Sequence, residues 1–128
     1  MKIRGAIFWL SIWGLIWGLW SCSSTPEIKT FNNQSWQQDA NGCQGIRLAQ
    51  LSLVLDQQHE LMGWTEQEMI HYLGPPDYRE LYVRNQKFLI YYIEPYQDCD
   101  TLGKSNPLRM YLRFDALGNS KELSLKNQ

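Results

Sequence analysis

The chain has 128 residues, 44% of them hydrophobic and 13% aromatic, with 12 Lys and Arg against 13 Asp and Glu. This length predicts one domain with a modest hydrophobic core. No cluster of Lys or Arg stands anywhere in the sequence, so binding to nucleic acid or to acidic lipid through charge is not expected.

The first 21 residues have the pattern of a secretory signal peptide. Lys2 and Arg4 give a short basic start, and the run from Ala6 to Trp20 is apolar apart from one serine and two glycines. This run is shorter than the roughly 20 residues that a membrane-spanning helix needs. The alternative to a cleaved signal is a short anchor helix that is retained, with a free thiol at Cys22.

The run Leu19-Trp20-Ser21-Cys22 resembles a bacterial lipobox, in which Leu stands third before the cysteine and a small residue directly before it. The resemblance implies cleavage before Cys22, diacylglycerol on its sulfur and acylation of the new amino group. Stable anchoring takes about two acyl chains, since each buried methylene contributes ~0.8 kcal/mol. We therefore predict membrane attachment through a lipid on Cys22, which also explains an odd total of three cysteines.

Two cysteines, Cys43 and Cys99, remain after the lipidation site. An exported chain meets an oxidising compartment, so we predict that they form a disulfide. Such a bridge closes a loop of about 57 residues, for which chain entropy gives ~4 kcal/mol. A redox pair and a metal site are the alternatives, although neither cysteine belongs to a Cys-x-x-Cys motif and no histidine stands near.

Polar residues follow Cys22, and we predict a tether over residues 22–35 and a folded domain over 36–128. Apolar residues at helical spacing predict a first helix from Gln44 to about Glu60, with Arg47 on its solvent side. Thr65 and Glu68 form a capping-box pattern that begins a second helix. Gly74, followed by two prolines, ends that helix after Leu73.

After Asp77 the pattern changes to the period of two that is typical of strands. We predict a strand from Tyr78 to Arg84, in which Leu81 and Val83 alternate with Glu80, Tyr82 and Arg84, and a tight turn at Asn85-Gln86. Three further strands follow: Lys87 to Glu94, Leu108 to Phe114, and Ser120 to Leu125. The expected fold is α+β, with two N-terminal helices packed on one face of a three- or four-stranded antiparallel sheet.

Four short stretches carry a resemblance to a known family: Leu61-Met-Gly63-Trp-Thr65, Leu73-Gly74-Pro-Pro76-Asp77, Tyr91-Tyr92 and Phe114-Asp-Ala-Leu-Gly118. With the lipobox, they resemble the BamE-like (SmpA/OmlA) family of small outer-membrane lipoproteins. β-Lactamase-inhibitor-like domains share the same two-layer motifs. The resemblance implies a bacterial outer-membrane lipoprotein that faces the periplasm and binds another envelope protein, in outer-membrane protein assembly or in envelope integrity.

No pattern in the chain predicts an enzyme, a metal site or a cofactor. His59 and His71 lack ligand spacing and are expected to face solvent. Asp98 and Asp100 flank Cys99, but Ca²⁺ takes about six or more oxygens, so a solvated loop is the expectation there. The sequence contains neither a Gly-rich phosphate loop nor a Gly-x-Ser-x-Gly motif.

A surface for a partner protein is predicted on the face of the sheet that the helices leave free. Tyr82, Tyr91, Tyr111 and Arg113 are placed there, because tyrosine and arginine gather at interfaces. We expect changes at Tyr111 and Arg113 to weaken partner binding with little loss of stability. The alternatives are that the chain itself covers this face, or that it serves an inhibitor-type or envelope-stress domain that holds a soluble protein or ligand.

Overall fold

The structure, a computed structural model, describes residues 31–99 and 103–127. Those residues form four α-helices and one four-stranded antiparallel sheet. The α+β class is thus confirmed, whereas the prediction of only two helices is wrong. The signal peptide, Cys22, Asp100 and most of the predicted tether lie outside the described residues. Nowhere in the described ranges does a helix have the length and apolar character that crossing a membrane requires.

The four helices precede the sheet in the chain; they are α1 (Asn33–Gln38), α2 (Ile46–Asp56), α3 (Gln58–Leu61) and α4 (Glu66–Leu73). The single long helix predicted from Gln44 is wrong, because Gln57 leaves helical geometry with ψ near 1° and separates α2 from α3. Helix α1 lies partly in the predicted tether, and the ring of Phe31 packs 5.5 Å from that of Trp36. The folded part therefore begins before Trp36.

Helix α4 begins and ends as its sequence predicts. The Thr65 hydroxyl accepts from the Glu68 backbone N–H at 3.2 Å, and the Glu68 carboxylate accepts from the Thr65 N–H at 3.0 Å. Two of the amides that a helix leaves unpaired at its start are satisfied in this way. Gly74 stops the helix with a φ of +80°, which a residue without a Cβ adopts readily.

The strands form a meander in the order β1 (Tyr78–Tyr82), β2 (Gln86–Tyr92), β3 (Leu108–Phe114) and β4 (Ser120–Asn127). The turn between β1 and β2 is a 3₁₀ segment, Val83–Asn85, so the predicted turn at Asn85-Gln86 lies too late. β1 is an edge strand with every residue exposed, and Leu81 is 87% exposed. The apolar and polar residues alternate here as predicted, but the alternation does not bury Leu81 or Val83, and the strand ends two residues before Arg84.

The hydrophobic core combines side chains from all four helices with side chains from β2 and β3. Its fully buried members are Trp36, Val54, Leu61, Met69, Leu73, Leu89, Tyr91, Ile93, Met110, Leu112 and Phe114. Met110, Leu112 and Phe114 alternate with less deeply buried neighbours along β3, which confirms the period of two predicted there. This arrangement is compatible with a two-layer domain.

A buried ion pair joins the first helices to the sheet. Arg47 was expected on the solvent side of its helix, but its side chain is 1% exposed and its guanidinium lies 2.5 Å from the Asp77 carboxylate. The Arg47 Nε also donates to the Trp36 carbonyl at 3.2 Å. The fully buried carboxylate of Asp39 accepts the backbone N–H groups of Gln44 and Arg47. Arg47 is therefore a structural residue, because its charge has partners inside the domain.

A disulfide joins Cys43 to Cys99, with an S–S distance of 1.99 Å and a Cα–Cα distance of 5.5 Å. The bridge ties the turn before α2 to the loop that follows β2. Gly42 lies beside it with a φ of +65°, and a Cβ there would come within 2.9 Å of the Tyr92 carbonyl oxygen. The turn and the end of β2 are thus in close contact.

Candidate interaction surface

The face of the sheet opposite the core side chains is called the outer face here. The strand register places Glu80, Phe88, Arg113 and Glu122 in one row across it, and Tyr78, Ile90, Tyr111 and Ser124 in the next row. Tyr82 pairs with Gln86 on the same face. Three of the four predicted interface residues, Tyr82, Tyr111 and Arg113, therefore come together.

Tyr91 was also predicted for this surface, and that prediction is wrong. Tyr91 pairs with Met110 on the core side of the sheet and is fully buried. Its hydroxyl donates to the Gly74 carbonyl at 2.8 Å, and burial raises the pKa of the phenol far above its usual value. The apolar run Phe88-Leu-Ile-Tyr-Tyr-Ile93 contains no polar alternation, so its sequence gave no sign of which side each residue faces.

The outer face holds an open depression of about 450 Å³, hereafter the outer-face depression. Its floor is aromatic, since the Phe88 ring lies 5.3 Å from that of Tyr82 and 5.9 Å from that of Tyr111, each edge to face. Polar and charged side chains surround this floor. The lining consists of Glu80, Tyr82, Gln86, Phe88, Tyr111, Arg113, Glu122, Ser124 and Lys126.

Charges of both signs line the depression. Arg113 donates to the Glu122 carboxylate at 3.1 Å and to the Gln86 side-chain oxygen at 2.9 Å. The Lys126 ammonium lies 5.2 Å from the Tyr111 ring centre, within the range of a cation–π contact. No ion pair joins Glu80 to a basic side chain of the described residues. The Glu80 carboxylate is exposed on the edge strand β1, where it can accept a hydrogen bond from a partner protein.

The exposure of the predicted residues differs along this surface. Tyr82 is 50% exposed and the Arg113 side chain 28%, so both can be touched by another molecule. Tyr111 is only 7% exposed, because Phe88 and Lys126 lie against its ring. Tyr111 is therefore not the exposed residue that was predicted, and its removal is now expected to lower the stability of the domain. Tyr82 and Arg113 are the residues that report on binding.

The other end of the outer face is covered by the chain itself. The Tyr96 ring, from the loop after β2, stacks on Tyr92 at 4.8 Å. The Arg109 guanidinium lies 5.1 Å from the Tyr92 ring centre and 5.9 Å from that of Tyr96. Burial also raises the pKa of Tyr92. The alternative of self-coverage thus holds at this end, and the depression near Tyr82 remains open.

Comparison of the chain with models of protein families, with curated proteins and with solved structures found no match. The resemblance to BamE-like lipoproteins therefore depends on the short motifs and the lipobox.

Within residues 31–99 and 103–127, no group of three or more His, Cys, Asp or Glu is placed to hold a metal ion. His59 and His71 lie exposed on α3 and α4, as predicted. Cys43 and Cys99 are joined to each other, so neither offers a thiolate while the bridge is intact.

Sequence reasoning missed most of the polar lining of the depression. Glu122, Ser124 and Lys126 lie at alternate positions of β4 and pair across β3 with Arg113, Tyr111 and Arg109. Extending the period of two from β3 into β4 would have placed these three side chains on the outer face. Glu80 also stands two residues before Tyr82, so the same period would have placed it on the outer face, whereas Phe88 belongs to an apolar run that has no polar alternation.

Proposed function

We propose that this chain is a lipid-anchored lipoprotein of the bacterial envelope whose outer-face depression binds another envelope protein. The observation that carries the proposal is the depression itself, in which an aromatic floor is flanked by exposed charged side chains. Interfaces between proteins have this composition, with aromatic and Arg residues at the centre and a polar rim. The role is one of binding, without catalysis.

A two-layer BamE-like fold forms part of the proposal. In this arrangement the helices pack on the core side of the sheet and leave the outer face to the partner. Supporting it, core residues of α4 such as Met69 and Leu73 lie in one cluster with Leu112 of β3. The capping box and the stop at Gly74 match the motifs quoted for the family. The meander of four strands agrees with the same architecture.

The chemistry of the depression limits what the partner presents. An aromatic or aliphatic side chain can rest on the edge-to-face rings of Tyr82 and Phe88, where it gains contact area beyond the sheet itself. Groups beside that anchor meet the Glu80 carboxylate on one side and Arg113 on the other. We therefore expect a segment with one apolar anchor between polar residues, including at least one hydrogen-bond donor.

The lipid anchor is tested by replacing Cys22 with Ser and labelling growing cells with a palmitate analogue. We expect the variant to lose the label and to leave the membrane fraction. A variant that keeps both its label and its membrane association would contradict the lipoprotein assignment and favour the retained anchor helix.

Partner binding is tested by site-specific photocrosslinking in intact cells. The crosslinker replaces Tyr82 in one strain and Leu48 in the other; Leu48 is a matched control on α2, because the two residues are 50% and 47% exposed. We expect a discrete crosslinked protein at Tyr82, absent at Leu48 and weakened by Arg113→Glu. An integral outer-membrane protein would identify the partner class, whereas a soluble periplasmic protein would favour the inhibitor-type alternative. Equal products at both positions would refute the proposed surface.

A further inference from the structure

Two turns of the meander project from the same end of the sheet. The first, Val83–Asn85, joins β1 to β2, and the second spans residues 115–119 between β3 and β4. Because Lys87 at the start of β2 pairs with Phe114 at the end of β3, both turns lie at the same end of the sheet. Neighbouring strands are about 4.8 Å apart, which places the two turns roughly 10 Å from each other.

Both turns carry aliphatic side chains that nothing else in the described domain covers. Leu117 is 87% exposed at the tip of the second turn, and Val83 is 62% exposed in the first. Leu81, in β1 two residues before the first turn, is 87% exposed. Single exposed aliphatic residues are ordinary on protein surfaces, so the interest of these three lies in their position at one end of a small domain. These three residues are called the tip cluster below.

The charges at this end agree with a phospholipid headgroup region. Arg84 is exposed at the first turn and joins no ion pair with the described acidic residues. Its guanidinium can donate two parallel hydrogen bonds to a phosphate. Lys121 follows the second turn and is 51% exposed, with Asp115 3.6 Å away. Amphipathic segments that bind at the bilayer interface also combine apolar side chains with neighbouring Lys or Arg.

The length of the tether keeps the whole domain close to the membrane that holds the lipid. Residues 23–30 separate Cys22 from Phe31, where the described structure begins. Nine Cα–Cα steps span at most about 30 Å when fully extended. A domain of about 100 residues has a radius of gyration of about 13 Å and is therefore roughly as wide as the tether is long. A lipid on Cys22 would hold the domain at the bilayer surface.

We infer that the tip cluster inserts into the interfacial region of the same phospholipid bilayer that holds the lipid on Cys22. This inference rests on the proposed lipid anchor and adds a second membrane contact. Insertion of the two turns sets the strands at a steep angle to the membrane. The outer-face depression, which includes Tyr82 directly beside the first turn, then opens sideways at the membrane surface. An envelope protein embedded in that bilayer would meet the depression without tilting the domain.

The test uses the mature lipidated protein in vesicles of phosphatidylcholine whose acyl chains are brominated. Leu117→Trp and Val83→Trp report on the two turns, and Leu48→Trp on α2 is the matched control, because Leu48 is 47% exposed. The unchanged chain supplies the background of Trp36 and Trp64. We expect a blue-shifted emission and a loss of fluorescence through bromine quenching at both turns, with neither change at Leu48→Trp.

Quenching at the turns no stronger than that of Leu48→Trp would overturn the inference. A blue shift without quenching would also overturn it, since it would show that the turns contact a second copy of the chain. The lipid on Cys22 is measured separately by intact mass. A chain without the lipid contradicts the proposed anchor and removes the basis for insertion. A lipidated, vesicle-bound chain with unquenched turns contradicts insertion alone.

Discussion

Replacing Asp77 with Asn tests whether the buried ion pair with Arg47 holds the helices against the sheet. One carboxylate oxygen accepts the backbone N–H of Asn41 at 2.9 Å, and the other accepts the Tyr92 N–H at 2.8 Å and the Arg47 guanidinium at 2.5 Å. An Asn side chain has one oxygen and one NH₂ group. In either orientation, the NH₂ group faces at least one donor and leaves it unpaired.

The cost follows from the burial of both partners. The side chains of Arg47 and Asp77 are 1% and 5% exposed, so the guanidinium cannot regain water when its anion is lost. Removing one partner of a buried pair costs about 3–5 kcal/mol. A loss of 1 kcal/mol in the free energy of unfolding lowers the Tm of a domain of this size by about 4–8 °C. We therefore expect Asp77→Asn to lower the Tm by at least about 12 °C.

Urea unfolding followed by tryptophan fluorescence measures the loss, with Glu122→Gln as the matched control. Glu122 also pairs with an arginine, Arg113, but its side chain is 57% exposed. Removal of a surface pair costs about 0–1 kcal/mol. If Asp77→Asn loses no more free energy of unfolding than Glu122→Gln, the argument that the Arg47 network stabilises the fold is refuted.

Three further changes test other parts of the account. Burial raises the pKa of the Tyr91 phenol, so the neutral phenol contributes its full stabilisation below the unfolded-state pKa of about 10, and this contribution is lost as the pH rises above that value. Tyr91→Phe should therefore lose less stability at alkaline pH than the unchanged chain in thermal melts. An equal alkaline loss in both chains would contradict the role given to Tyr91. Cys99→Ala opens a bridge with a sequence separation of 56 and should cost ~2–5 kcal/mol in urea titrations, whereas no change would show that the bridge does not form in the protein. Gly42→Ala and Gly45→Ala both place a Cβ at positive φ, which costs about 1–2 kcal/mol. Only at Gly42 does that Cβ come within 2.9 Å of a carbonyl oxygen, so Gly42→Ala should unfold at the lower temperature, and the reverse order would contradict the close approach.

The elements that were predicted correctly carry their own local signals. Helix α4 is bounded by the Thr65–Glu68 capping box and by Gly74, which act within a few residues of the helix. Strand β3 alternates apolar and polar side chains, because one of its faces lies against the core. In both elements the short-range pattern and the tertiary contacts favour the same structure.

The residues that were misplaced depend on partners distant in the chain. Arg47 looks like a solvent-facing helix residue until Asp77, 30 positions later, places a carboxylate beside it. Tyr91 belongs to a strand that is apolar on both faces, so only its register with β3 assigns it to the core. The depression likewise forms from all four strands, and its acidic and basic lining could be recognised only once those strands were paired.

The central claim is that the outer-face depression is a protein-binding surface. Once crosslinking at Tyr82 has identified the partner, its affinity is measured for the unchanged chain and for Tyr82→Ala, Arg113→Ala and Leu48→Ala in the same membrane environment. Truncating a central interface residue costs at least about 1.4 kcal/mol, or tenfold in Kd. The account predicts a loss of at least about tenfold for Tyr82→Ala and Arg113→Ala, with Leu48→Ala and the thermal stability of all three variants nearly unchanged. Equal affinities for the three variants would contradict it.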